Sequence, residues 1–119
     1  MTDLHLSAPA GTLQVRPVWQ DSDTLVVICH PHPLFGGTMD NKVVTTLARY
    51  WRARGHSVVL FNFRGVGSST GTHDNGLGEV DDLRTVLAWA VQQTPARQLI
   101  LAGFSFGAYI AAAGADRLS

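Results

Sequence analysis

The stretch from Leu99 to Ile110 constrains this chain more than any other. Leu99, Ile100, Leu101 and Ala102 are apolar without alternation, the pattern of a strand covered on both faces in a parallel sheet. Gly103-Phe104-Ser105-Phe106-Gly107 follows, and then an alanine-rich run of helical character. Gly-x-Ser-x-Gly is weak evidence by itself. Between a buried strand and a helix it predicts a nucleophile elbow, with Ser105 at the apex of a turn tight enough to force a positive φ. Gly103 and Gly107 fit because side chains there would collide as strand and helix close together. The helix start leaves the Phe106 N–H unpaired, near where an oxyanion would form. The plainer alternative is a glycine-rich turn whose Ser105 merely caps the helix. The apolar strand before the motif and the helix after it favour the elbow.

The rest of the chain supplies neighbours for that strand. Residues 24–29, 57–63 and 98–104 read as apolar core strands, and 41–54, 79–93 and 106–116 as helices with apolar residues at helical spacing. Residues 3–19, with Ala10-Gly11 as the turn, read as an antiparallel hairpin at one side of the sheet, and Pro17 marks an irregular or edge position. Strands alternating with helices predict an α/β protein, a three-layer α/β/α sandwich with a mainly parallel sheet. At 119 residues the chain makes one domain at most, spanning 1–119.

Loops past the carboxyl ends of such strands are where open α/β sheets place ligand contacts. The first is His30-Pro31-His32-Pro33-Leu34-Phe35-Gly36-Gly37, held by two prolines and freed by two glycines. His-x-His suggests a metal pair, but no Asp, Glu, Cys or His cluster completes the ligand set. The better reading is a loop that offers a backbone N–H to a reacting carbonyl, with His32 the first choice of donor and Leu34 the second. Thr38 or Asp40 can cap the helix that follows, and Gly55 ends it. The second loop, Arg64 to Gly71, carries two glycines after a strand. It fits a dinucleotide loop poorly, because Thr70 stands where a third glycine or alanine is required. It reads as a structural loop at the mouth of a pocket, with Arg64 as its anchor. Glu79, Asp81 and Asp82 crowd the first turn of the next helix, where negative charge is favoured.

Composition removes several functions. Net charge is zero, and no basic cluster of the kind nucleic acid demands is present. Arg49, Arg52 and Arg54 fall at a helix end and suit its dipole and a solvated face. No apolar run reaches the roughly 18 residues of a membrane span. The first five residues lack the layout of a secretory leader, and the single Cys29 lies inside a core strand. These features suit a cytoplasmic protein with no metal and no cofactor.

Three motifs in order, His30 to Gly37, Phe63-Arg64-Gly65-Val66-Gly67-Ser68 and Gly103 to Gly107, resemble the α/β-hydrolase superfamily. They look most like its small bacterial members related to dienelactone hydrolase and the serine aminopeptidases. The resemblance covers nearly the whole chain. It implies Ser105 as nucleophile, with the N–H groups of Phe106 and His32 as oxyanion donors. It also implies a cytosolic serine hydrolase acting on a small acyl substrate such as a carboxylic ester. Asn62 stands where the superfamily often has the Asp of Asp-x-Arg-Gly, a departure that touches the loop anchor and not the catalytic residues.

A second departure concerns length. In this superfamily an acid and a histidine follow the serine along the chain. After Ser105 comes no histidine, and Asp116 lies about three helical turns away, roughly 16 Å at 1.5 Å per residue. The sequence thus resembles the N-terminal half of a hydrolase. The strand over 98–104 is then expected at an exposed apolar edge, open to self-association. The competing reading is a non-catalytic protein of the same fold, either a truncated product or a module that pairs through that edge. Three geometric expectations follow: strand 24–29 lies between the other two, Ser105 has a positive φ and faces the His30–Gly37 loop, and the backbone of His32 matters more than its ring.

Overall fold

The computed structural model describes residues 3–116. A five-stranded mixed sheet runs in the order β1-β2-β4-β3-β5. Its strands are β1 (Leu4–Ala8), β2 (Gly11–Val18), β3 (Thr24–Cys29), β4 (Ser57–Phe61) and β5 (Gln98–Gly103). Helices α1 (Lys42–Ala53) and α2 (Leu77–Gln93) connect them, and α3 (Phe106–Asp116) follows β5. β3 pairs in parallel with both β4 and β5, Val26 facing Val58 on one side and Ile100 on the other. The expected strand order therefore holds. The hairpin β1–β2 joins β4 antiparallel and closes the other side of the sheet.

Side-chain alternation along β3 divides the core in two. Leu25, Val27 and Cys29 face a cluster with Phe61, Phe63, Leu83, Val86, Leu87 and Ile110, under α2 and α3. Val26 and Ile28 face Met39, Val44, Ala48, Val58 and Leu60, under α1. Every residue of β3 and β4 is buried, as their unbroken apolar runs require. Each fully buried Val, Leu or Ile side chain is worth about 1.5–3 kcal/mol, so these two strands hold the layers together. β5 differs: it pairs only with β3, and Leu99 is 38% exposed.

Local details depart from the sequence reading in three places. β4 and β5 end at Phe61 and Gly103, and the residues beyond belong to the loops. Helix α2 begins two residues earlier than its apolar spacing suggests. Neither Thr38 nor Asp40 caps α1; the cap is Asn41, whose Oδ1 accepts the Val43 N–H at 2.9 Å. Thr38 Oγ1 instead accepts the Asp40 N–H and shapes the turn before it. Gly55 ends α1 as expected, at φ 84°. Pro17 is tolerated inside β2 because β1 pairs with β2 only as far as Val15, leaving one side of Pro17 without a ladder. Among the described residues, no helix is long and apolar enough to cross a membrane.

Candidate active site

β5 ends at Gly103 and α3 begins at Phe106, so the chain reverses within two residues. Ser105 sits at the apex with φ 59°, one of two non-glycine residues in the left-handed region among those described. An L-residue there is strained by roughly 1–2 kcal/mol, and Ser105 has no need of it except to make this turn. The flanking glycines are steric requirements. A Cβ on Gly103 would come within 2.5 Å of the Gly107 backbone, and one on Gly107 would overlap the Cys29 carbonyl oxygen. Ser105 is exposed.

The loop after β3 packs beside this elbow. Its Pro33–Phe35 segment forms one 3-10 turn, with the His32 ring 4.8 Å from the Phe106 ring. The His32 carbonyl accepts from both Phe35 and Gly37 N–H groups, which folds the loop back on itself. The Leu34 N–H donates to His32 Nδ1 at 3.1 Å. That bond removes Leu34, the second choice, as a free donor. It also occupies one ring nitrogen of His32. The N–H groups of His32 and Phe106 have no acceptor among the described residues. The loop thus lies against the elbow through the His32–Phe106 ring contact, and among the described residues the His32 and Phe106 N–H groups are unspent.

A buried polar frame holds both loops in place. His30 is fully buried. Its Nδ1 donates to the Pro31 carbonyl at 2.7 Å, and its Nε2 accepts the Phe63 N–H at 3.1 Å. Both nitrogens are used only by the neutral ring. Burial pushes its pKa down to about 4, the Pro31 bond opposing weakly. His30 therefore ties the end of β3 to the end of β4. Burial likewise pushes the Cys29 thiol well above its usual range, which makes it an unreactive core residue.

Asn62 serves the same frame. Its Oδ1 accepts the Met39 N–H and its Nδ2 donates to Gln14 Oε1, both at 2.9 Å. Gln14 Oε1 also accepts the Ser68 N–H, and Ser69 Oγ bridges the Gln14 N–H and the Asn62 carbonyl. The Asn in place of Asp thus anchors loops, as the sequence reading holds.

Arg64 anchors the second loop through a partner the sequence did not reveal. Its guanidinium grips Asp82 at 2.8–3.2 Å and the Gly78 carbonyl at 2.8 Å. The Asp82 carboxylate, fully buried, holds the Arg64 pKa above its ordinary value. Asp82 is therefore an ion-pair residue and not only a helix-end charge. Glu79 does serve the helix end: its two oxygens accept the Gly76 N–H at 2.9 Å and the Asp74 N–H at 2.8 Å. His73 Nδ1 lies 3.1 Å from the same carboxylate, too poorly aligned for a hydrogen bond. The His73 ring packs against His32 at 4.8 Å and Phe106 at 5.6 Å.

No imidazole reaches Ser105 by a hydrogen bond among the described residues. His30 and His32 are engaged as above, His56 Nδ1 pairs with Ser22 Oγ, His73 abuts Glu79, and His5 is exposed on β1. The described residues hold no group of three or more His, Cys, Asp or Glu that could bind a metal ion.

This geometry recurs in known proteins. Residues 24–118 match the model of the alpha/beta hydrolase fold family. An uncharacterised protein of Rickettsia prowazekii is 40% identical over 114 residues, covering 93% of this chain and 48% of that protein. The structure of an alpha-beta serine hydrolase homologue from Coxiella burnetii is 50% identical and superposes with a TM-score of 0.91, over 96% of this chain and 56% of its own. XC6422 from Xanthomonas campestris, an α/β serine hydrolase without a lid, is 45% identical with a TM-score of 0.93, over 98% and 56%. The chain spans about half the length of these relatives. With the elbow, the strand order and the family match in agreement, the chain belongs to the alpha/beta hydrolase fold family.

Proposed function

We propose that this chain carries the nucleophile and the oxyanion donors of a cytoplasmic serine hydrolase acting on small acyl esters. The observation that supports it most is Ser105 at φ 59°, exposed on a strand-to-helix turn that leaves no space for a side chain at Gly103 or Gly107. In this reading Ser105 Oγ attacks the ester carbonyl carbon and loses its proton to a base, and the carbonyl oxygen gains the negative charge. The His32 and Phe106 N–H groups, without acceptors among the described residues, hold that charge without reorganising. Collapse of the intermediate expels the alcohol and leaves an acyl-serine, which water then hydrolyses. The base and its acid are assigned to the part of the relatives' length that this chain does not span.

The test joins this chain to the carboxyl-terminal half of the Coxiella burnetii homologue and assays an activated acyl ester. The joined protein should turn over, and Ser105→Ala should lower kcat by about 10³-fold or more. His32→Ala should keep most activity, because its backbone does the work. Turnover indifferent to Ser105→Ala would overturn the reading. The 119-residue chain alone should show no Ser105-dependent turnover above background. A second reading, pairing between two copies through β5, is favoured by the single ladder of that strand and the exposure of Leu99.

A further inference from the structure

A groove on the α1 face of the sheet has the features of a ligand site that ester hydrolysis does not use. Its floor is sheet, Val18 from β2 with Val58 and Leu60 from β4, and its roof is α1. The cavity measures about 310 Å³, near the lower end of small-molecule sites at roughly 300–1,000 Å³. It exists because α1 lies over β3 and β4, and the residues it places beside β2 are small, Thr45 and Ala48. None of Ser105, His32 or Phe106 lines it.

The mouth of the groove carries unspent positive charge. Arg16 is already satisfied, by Asp3 at 2.7 and 3.0 Å and by Asp40 at 2.6 Å. Arg54, outside the groove, stacks 3.6 Å from the centre of the Tyr50 ring. Arg49 and Arg52 are different. They stand one turn apart on the wall, and among the described residues neither meets a carboxylate; Arg49 reaches only Thr46 Oγ1, at 3.4 Å. α1 contains no Asp or Glu to balance them, although the chain as a whole is neutral. Two free guanidiniums above an apolar floor are suited to a ligand with an anionic head and an apolar tail. Asp40 at the rim selects a single negative charge over a double one.

We propose that this groove binds a medium-chain alkyl carboxylate, its head between Arg49 and Arg52 and its tail laid on Val18, the one apolar residue of the lining that is not buried. The same chemistry describes an acid released by an esterase, but the site stands apart from Ser105 and its occupancy does not depend on hydrolysis.

Equilibrium dialysis of octanoate against the purified chain at low salt tests the proposal. One octanoate should bind per chain with a dissociation constant below about 1 mM. The pair Arg49→Gln with Arg52→Gln, both exposed and tolerant of change, should weaken binding about tenfold or more, with the fold checked by circular dichroism. Ala48→Leu should fill the groove and abolish binding, octanol should bind less well than octanoate, and octyl phosphate less well again. Ser105→Ala should leave octanoate binding unchanged, so a failure of the hydrolase reading does not touch this result. No saturable uptake at millimolar octanoate, equal binding of octanol, or an unaltered constant in the double arginine variant would each overturn the proposal. Loss of binding on Leu99→Lys with full binding in the arginine variant would place the ligand on the β5 edge and refute it as well.

Discussion

Acid should loosen this fold through one imidazole. His30 uses both ring nitrogens in its neutral form, donating to Pro31 and accepting from Phe63, with no exposure to solvent. Its pKa is pushed down to about 4 from an ordinary 6.5. In the unfolded chain the ring takes up a proton below 6.5, whereas the folded ring refuses it until the pH nears 4. The contribution is thus whole above pH 6.5 and is lost as the pH falls toward 4. The full loss is about 3 kcal/mol, and the part between pH 7 and pH 5 about 2 kcal/mol. Urea unfolding of the wild-type chain and of His30→Gln, each at both pH values, isolates this share from the other titrating groups. His30→Gln should be the less stable at pH 7, and its deficit should shrink by about 2 kcal/mol at pH 5. A deficit that stays constant across the two pH values would refute the neutral, doubly bonded ring.

Three further outcomes follow from the geometry. Ser105→Gly should raise the urea midpoint, worth about 1 kcal/mol, by relieving the left-handed backbone at the elbow. Arg64→Ala should cost about 3–5 kcal/mol in the same assay, because it strands a fully buried Asp82 carboxylate; a loss under 1 kcal/mol would mean that water reaches Asp82. Leu99→Lys should reduce any dimer seen by sedimentation velocity, since a charge on a bare strand edge opposes pairing.

The sequence exposed what is periodic and local. Unbroken apolar runs located β3, β4 and β5, and the glycines around Ser105 announced a turn whose positive φ the structure bears out. What it hid depends on distance in three dimensions. Arg64 and Asp82 are eighteen residues apart, and no helical or strand period connects them. Gln14 lies on β2 but serves a loop more than fifty residues later. The cap of α1 lies one residue past the candidates Thr38 and Asp40, because the helix begins at Lys42 and leaves Asn41 as the last non-helical residue. Nothing in the sequence shows that the His32 ring takes the Leu34 N–H, which depends on how the loop folds.

Gly107 rests on the carbonyl groups of Cys29 and His30, with no room between. The elbow therefore has no independent address: α3 is seated on the last peptides of β3, and Ser105 goes where those peptides go. A substitution at Cys29 that enlarges the core would tilt Ser105 without touching it. Errors in strand packing would then register as errors in the placement of Ser105. The same abutment keeps Ser105 and the His32 loop in step, since the loop leaves the end of β3 and Gly107 rests against it.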